Sequence, residues 1–222
     1  MTITPESVQP LLASENFGDR IKGLNQLRQL PPESAFPLIK PLCQDRSERI
    51  RYAAISQLDR LGEVNRQETL DILRHTLLED PETDVKAAAA DVIGALKLTE
   101  ALTDLKTTYE TTQEWVLQMS IVATLGAMGD LSVLDILKMA LASENGLIQT
   151  AAISSLGELA EPAVLPLLLP FVENPDWQIR FRLAIALSHF ADPAAQQALQ
   201  TLAQDTFEQV AETAQRLITS PT

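Results

Sequence analysis

Branched apolar residues recur along this chain at nearly constant spacing, and each is followed by a similar pattern of small and apolar residues. We call them the anchor positions: Ile50, Val85, Leu117, Ile148, Ile179 and Val210. Successive anchors are separated by 35, 32, 31, 31 and 31 residues, and a degenerate copy with Asp19 at the anchor stands 31 residues before the first. A period of this size predicts a stack of helical repeats in which each repeat contacts only its neighbours.

Each period contains two stretches with the 3.6-residue spacing of an amphipathic helix, separated by a short polar segment. In the fifth period the pattern predicts a first helix over 131–142, a turn at 143–145 and a second helix over 146–159. We expect about seven repeats, over 5–30, 32–61, 66–97, 99–128, 131–159, 161–190 and 193–219. The predicted fold is an all-α, right-handed α-solenoid, formed as a single domain over 1–222.

Two kinds of local signal refine this prediction. Short polar residues stand three positions before an anchor, where they would cap the second helix: Ser47, Asn145 and Asp176. Glycines stand near the ends of three second helices, where they would relax the chain into the next turn: Gly94, Gly126 and Gly157.

Composition narrows the range of partners and compartments. The formal net charge of −13 and a pI near 4.5 argue against binding to nucleic acid or to anionic membranes. The single Cys43 excludes an internal disulfide and suits a reducing compartment. The first residues show no signal peptide, and the longest apolar run, 162–172, is too short to span a bilayer. We expect a cytoplasmic protein without membrane insertion, and the oligomeric state is left open.

The sequence carries no recognisable catalytic, nucleotide-binding or metal-binding motif. There is no glycine-rich phosphate loop, and neither His75 nor His189 has a second ligand at metal-binding spacing. Cys43 lies in an apolar stretch without a basic neighbour, so we expect a buried, unreactive thiol. Function is therefore expected on the surfaces of the helical stack.

Two segments carry a family resemblance: DWQIR at 176–180 and AAISSLGEL at 151–159. Together with the period and the paired helices, they resemble the HEAT-like repeats of the phycobilin lyase group, and the resemblance covers essentially the whole chain. Within that group, the length and the pattern are most similar to the NblB-type phycobilisome degradation proteins of cyanobacteria.

The resemblance implies a function in the turnover of the photosynthetic antenna. It implies that the chain binds phycobiliproteins, such as phycocyanin or allophycocyanin, and their bilin, phycocyanobilin, with no required cofactor. It places the protein in the cytoplasm, at the phycobilisome on the thylakoid surface. The same group contains lyase subunits that attach phycocyanobilin to phycocyanin, and HEAT adaptors that help to assemble iron–sulfur clusters. Both remain alternatives, and enzymatic activity stays open because the resemblance carries no catalytic residue over.

Aromatic and long apolar side chains flank several anchors on the side away from the core. They stand two positions before an anchor (Phe17, Trp115, Trp177) or two positions after it (Tyr52, Met119, Phe181). One interpretation is a shallow aromatic trough from the fourth to the sixth repeat, which stacks on a planar ligand or a partner's helix. The alternative is that the tryptophans pack on the turn of the preceding repeat.

Charged residues near the anchors also allow two interpretations. Basic residues directly follow four anchors, counting the degenerate first one: Arg20, Arg51, Lys86 and Arg180. They form either an anion-binding stripe for tetrapyrrole propionates, with Arg180 in the groove, or structural pairs with polar caps of neighbouring repeats. The carboxylates available as a general acid beside the trough are Glu114, Glu158 and Asp176. Their alternative role is to complement helix dipoles.

Overall fold

A computed structural model describes residues 2–219 of the chain. Within this range every regular element is a helix, and consecutive helices pair as antiparallel repeats, which confirms the predicted all-α solenoid class. Contacts within the chain divide it into two compact units, Met1–Ser120 and Ile121–Thr222. The predicted hand of the superhelix and the single-domain organisation stay predictions.

The first unit is built from helices α1 to α8 and the beginning of α9. Their bounds are α1 Pro5–Leu12, α2 Phe17–Leu27, α3 Pro32–Ile39, α4 Glu48–Ile55, α5 Leu58–Leu61, α6 Arg66–Glu79, α7 Thr83–Ala95, α8 Leu102–Thr111 and α9 Trp115–Met128. Short 3-10 turns connect some of them at Lys40–Gln44, Gly62–Asn65 and Thr99–Ala101.

The second unit begins inside α9 and continues through α15. Its further helices are α10 Leu134–Leu141, α11 Gly146–Leu159, α12 Leu165–Leu168, α13 Trp177–Leu187, α14 Pro193–Leu202 and α15 Glu208–Thr219. Its 3-10 turns lie at Leu131–Val133, Pro162–Val164 and Leu169–Glu173. The second helix predicted over 146–159 coincides with α11.

The anchor positions form the core of each unit. All six apolar anchors are buried, and so are the small residues four positions later in the second and third repeats, Ala54 and Ala89. These alanines let neighbouring helices approach closely, as the face predicted for the core requires. In the described range no helix is both long and apolar enough to cross a bilayer.

The predicted role of the glycines in relaxing the chain is wrong, because all three lie inside helices. A Cβ atom on Gly126 would lie 2.3 Å from Cβ of Ser155, and one on Gly157 would lie 2.6 Å from Cβ of Ala186. Gly126 and Gly157 therefore allow close packing between second helices of neighbouring repeats. The residues with left-handed backbone angles are Lys97, Gly129 and Ala160.

The predicted caps are confirmed at two of three positions. The side chain of Asn145 accepts a hydrogen bond from the Leu147 N–H, and Asp176 accepts one from the Gln178 N–H. Ser47 makes no such bond through its side chain, so this cap prediction is wrong. The residue two positions before it, Asp45, is the side chain that organises this turn.

Candidate functional site

A side-chain oxygen five residues before each anchor organises the turn between the two helices of every repeat. We call these the turn positions: Ser14, Asp45, Asp80, Thr112, Ser143, Asn174 and Asp205. Each accepts a hydrogen bond from the backbone N–H two residues later, with N–O distances of 2.8–3.2 Å. Asp, Asn, Ser and Thr close such turns with their own side chains, so the polar segment between the helices has a fixed geometry.

In the first six repeats the residue directly after the anchor folds back over this turn, whereas the last repeat has Ala211 there. The Arg180 guanidinium donates to the carbonyl oxygen of Asn174 at 2.6 Å, and the Gln118 side-chain amide donates to that of Thr112 at 3.1 Å. The Lys86 ammonium group donates to the carbonyl oxygen of Leu78 at 2.9 Å. Residues at this position, whether basic or neutral, thus satisfy carbonyl groups near the end of the first helix.

Three arginines after an anchor also reach the turn position of the next repeat. The ion pairs are Arg20–Asp45 at 3.0 Å, Arg51–Asp80 at 2.7 Å and Arg180–Asp205 at 2.6 Å. In the fourth, fifth and sixth repeats the turn position holds Thr, Ser or Asn, and the residue after the preceding anchor is Lys or Gln. Arginine therefore follows an anchor wherever the next repeat has aspartate at its turn position, as contacts between neighbouring repeats require.

The pair formed by Arg180 is nearly buried and doubly hydrogen-bonded. Its Nε and Nη2 donate to the two carboxylate oxygens of Asp205 at 2.6 and 2.8 Å. Hydrogen bonds from Arg180 lower the pKa of Asp205 against the opposing effect of burial, and the same bonds raise the pKa of Arg180. For a groove ligand to bind Arg180, as the sequence suggested, this pair would have to open.

The indole of Trp177 is stacked on an aromatic ring of the next repeat. Its ring centroid lies 4.4 Å from that of Phe207, and the two planes differ by 5°. Phe207 stands in the turn before α15, so Trp177 packs on the turn of the following repeat. The alternative interpretation of the sequence predicted packing on the turn of the preceding repeat. Because one face of the indole is covered, its orientation is fixed and a ligand would meet the remaining face or edge.

Trp177 lines a groove in the second unit, where α13 packs between α11 and α15. The groove has a volume of about 590 Å³. Its lining residues are Leu147 and Thr150 from α11, Trp177, Gln178, Phe181 and Arg182 from α13, and Gln209, Glu212 and Thr213 from α15. Two residues of the predicted trough, Trp177 and Phe181, thus meet here. Arg180 is not among the lining residues.

Arg182 adds a positive charge to this groove and was not among the residues predicted from the sequence. The corresponding position, three residues after the anchor, holds small residues in five other repeats: Ala53, Ala88, Ser120, Ala151 and Thr213. The Nε atom of Arg182 is buried and has no hydrogen-bond partner within the described residues. The signal that could have found it is the replacement of a small residue by a long cation at a fixed position of the repeat.

The remaining members of the predicted trough lie in the first unit. Tyr52 is exposed and borders a concavity of about 400 Å³ that Glu48 and Arg49 also line. Trp115 is exposed at the start of α9, and Met119 is half-buried one turn later. Since these residues and Trp177 belong to different units, one continuous trough stays a prediction.

The three carboxylates considered as general acids lie apart from the lining of the second-unit groove. Glu158 is exposed on α11, and Asp176 uses an oxygen to cap α13 at 2.8 Å from the Gln178 nitrogen. Glu114 borders a concavity of about 510 Å³ in the first unit. The carboxylate that does line the second-unit groove is Glu212, and the catalytic role of the other three stays a prediction.

Cys43 and His75 line one concavity of about 290 Å³ in the first unit, whereas His189 lies in the second unit. Burial raises the pKa of the Cys43 thiol to about 12, although a backbone hydrogen bond acts in the opposite direction. Nδ1 of His189 lies 2.9 Å from the carbonyl oxygen of Gly157, a contact between neighbouring repeats. Across residues 2–219, no cluster of three or more His, Cys, Asp or Glu side chains is placed to hold a metal ion.

Solved structures share this fold at low sequence identity. YibA of Escherichia coli is similar with a TM-score of 0.66 and 15% identity, covering 96% of this chain and 81% of its own. The complex of CpcE and CpcF of phycocyanin lyase from Nostoc sp. PCC7120 is similar with a TM-score of 0.60 and 21% identity. That likeness covers 100% of this chain and 96% of the other. At such identities the likeness shows the fold alone.

Comparison of sequences gives the family directly. No curated protein matches this sequence closely enough to count as a relative. The model of HEAT repeats matches three overlapping stretches, residues 5–94, 70–157 and 139–218, which together cover nearly all of the chain. These stretches contain all six apolar anchors. The chain therefore belongs to the HEAT-repeat family.

Proposed function

We propose that this chain is a phycobiliprotein- and bilin-binding HEAT-repeat protein of the NblB type. It would act in the cytoplasm of a cyanobacterium, at the phycobilisome on the thylakoid surface. There it would assist disassembly of the antenna by helping to uncover or detach phycocyanobilin from phycocyanin or allophycocyanin. It requires no cofactor for this, and phycocyanobilin is its ligand.

The observation that carries this proposal is the second-unit groove. Its volume of about 590 Å³ lies within the range of about 300–1,000 Å³ that is common for small-molecule sites. The indole of Trp177 is already held in place by Phe207, so little side-chain freedom would be lost when a planar pigment packs against it. Phe181 adds a second aromatic ring to the same lining.

The family resemblance gives this groove its proposed ligand. The segment 176–180, which carries part of the resemblance to the phycobilin lyase group, begins at the cap of α13 and includes Trp177. The likeness to the CpcE–CpcF complex extends over the whole chain and is consistent with the same group. The fold positions the helices, and the aromatic rings of the groove are the reason for proposing a planar pigment as the ligand.

The test is a titration of the purified chain with free phycocyanobilin and, separately, with phycocyanin and allophycocyanin. We expect a shift in the visible absorbance of the bilin together with quenching of tryptophan fluorescence. Trp177→Leu should abolish the shift. Trp115→Leu is the matched control, because it removes an exposed tryptophan of the same repeat position from the first unit. No response to the free bilin or to either phycobiliprotein would refute the proposal.

A lyase subunit is the second candidate, because the segments 151–159 and 176–180 resemble the phycobilin lyase group as a whole. A lyase subunit would transfer bilin covalently to an apo-phycobiliprotein when mixed with a second HEAT-repeat chain. Acid-stable pigment on the acceptor after denaturing electrophoresis would identify this activity. A protein adaptor, for example in iron–sulfur assembly, would bind another protein without any change in bilin absorbance.

A further inference from the structure

Arg182 is the residue of the second-unit groove that the repeat architecture does not explain. Arg180, two residues earlier, donates to the carbonyl oxygen of Asn174 and forms an ion pair with Asp205. Another cation of the second unit, Lys138, has its Nζ atom 3.8 Å from Oδ1 of Asp135. The buried Nε atom of Arg182 has no hydrogen-bond partner among the described residues, and none of the ion pairs found between them involves Arg182. Its guanidinium is therefore available to a group that enters the groove.

Arg182 also differs in its repeat position from the basic residues that directly follow an anchor. Five of the six other repeats place alanine, serine or threonine there, and the degenerate first repeat places Lys22, so most copies of the repeat need no long basic side chain at this position. On α13 it stands one residue after Phe181 and five after Trp177, and all three side chains line one groove. A cation and two aromatic rings from a single helix thus border the same groove.

The chemistry of this lining selects an anion on a flat apolar framework. The rings of Trp177 and Phe181 offer contact surface to a planar conjugated molecule, and a guanidinium matches the planar geometry of a carboxylate. Glu212 lines the same groove and would repel a second negative group placed beside it. The volume of about 590 Å³ suits a small molecule rather than a folded partner.

We infer that the second-unit groove binds a planar conjugated carboxylate, with Arg182 as the residue that binds its carboxylate. The inference rests on the proposed function only for the identity of the natural ligand, because phycocyanobilin is conjugated and carries propionates. The chain as a whole has a net charge of −13 and repels anions, so a preference for an acid over its ester requires a local cation.

The first arm of the test uses a probe unrelated to bilins. Fluorescence titrations with 1-pyrenebutyrate and with its methyl ester compare the same ring system with and without the negative charge. We expect wild type to bind the acid about tenfold or more tightly than the ester, as one charge-assisted contact allows. Arg182→Gln should remove this preference and leave ester binding within about twofold. Arg216→Gln, the same change on α15 outside the groove lining, should keep it.

The second arm separates this inference from the proposed function. Phycocyanobilin and its dimethyl ester are titrated into the same three proteins, whose folding is checked by circular dichroism. Acid preference with the pyrene probe but no bilin response supports Arg182 and overturns the pigment proposal. Bilin binding that is insensitive to esterification and to Arg182→Gln supports the pigment proposal and overturns the role of Arg182. If the pyrene acid does not bind, or binds no more tightly than its ester, the inference is wrong, and an acidic peptide becomes the occupant to test.

Discussion

Replacing Arg180 by methionine should destabilise the second unit by about 3 kcal/mol. The substitution keeps an apolar stem but removes four donated hydrogen bonds. Two go to Asp205 at 2.6 and 2.8 Å, one to the carbonyl of Asn174 at 2.6 Å and one to that of Pro175 at 3.3 Å. The carboxylate left behind would retain the hydrogen bond from the Phe207 N–H at 2.8 Å. The loss is therefore dominated by a buried charge without its counter-ion.

The magnitude follows from how little solvent reaches the pair. The side chains of Arg180 and Asp205 are 13% and 6% exposed. Breaking a buried ion pair by removing one partner costs about 3–5 kcal/mol, and the residual exposure places this pair at the lower end. With a urea m-value of roughly 1–3 kcal/mol per molar, the unfolding midpoint should fall by about 1–3 M.

The assay is urea unfolding followed by Trp177 fluorescence in a Trp115→Phe background. In this background the remaining tryptophan lies in the second unit, so the signal reports that unit. Arg46→Met is the control, followed by circular dichroism. Arg46→Met removes the ion pair with Glu15, in which the side chain of Arg46 is 67% exposed and that of Glu15 is 90% exposed. An exposed pair of this kind contributes at most about 1 kcal/mol.

Two outcomes would refute the reasoning. A midpoint for Arg180→Met equal to that of wild type would mean that the pair contributes nothing to folding. A double variant, Arg180→Met with Asp205→Leu, should be less destabilised than Arg180→Met alone, because no unpaired charge remains. If the loss of stability in the double variant equals the sum of the losses in Arg180→Met and Asp205→Leu, the two residues are not coupled as their hydrogen bonds require.

Three further predictions concern the carboxylate of Asp205, the glycines inside second helices, and the turn that contains Asp45 and Ser47. The folded-state pKa of Asp205 lies below its unfolded value of about 3.9, so its stabilisation is present above that pH and is lost as pH falls through the lowered pKa. In urea unfolding at a series of pH values, Asp205→Asn should be less stable than wild type above about pH 4, and the difference should shrink as pH falls. Gly157→Ala should cost about 1–3 kcal/mol in chemical unfolding, whereas Gly146→Ala, where the new Cβ would lie 3.8 Å from its nearest neighbour, should cost less than about 0.5. Asp45→Ala should lower the melting temperature clearly and Ser47→Ala hardly at all, and equal effects would contradict the assignment of the turn.

The sequence predicted the repeated parts of this fold well, because a long periodic pattern constrains each element many times. The bounds of α11 and the buried anchors follow from spacing alone. The role of Gly157 could not be predicted in this way, since the pattern within one repeat does not reveal which atoms of the next repeat approach it. The same limit applies to Trp177, whose stacking partner Phe207 stands in the next repeat.

The candidate site was harder to predict because its most informative residue departs from the pattern. The pattern shared by the repeats contains no long cation at the position of Arg182, so this residue is noticed only when each position is compared across the repeats. Arg180 is the opposite case, since its repetition drew attention but its contacts belong to the stack. In a repeat protein the exceptions to the period therefore indicate function better than the period itself.

The coupling between turn positions and arginines limits how such repeats are exchanged during evolution or design. A repeat with aspartate at its turn position, such as the one containing Asp205, needs arginine after the anchor of the repeat before it. If it were inserted after the repeat that contains Gln149, its carboxylate would face a neutral amide and lose its counter-ion. Duplication of single repeats is thus penalised at these junctions, whereas a segment that carries both Arg180 and Asp205 is transferable as a unit.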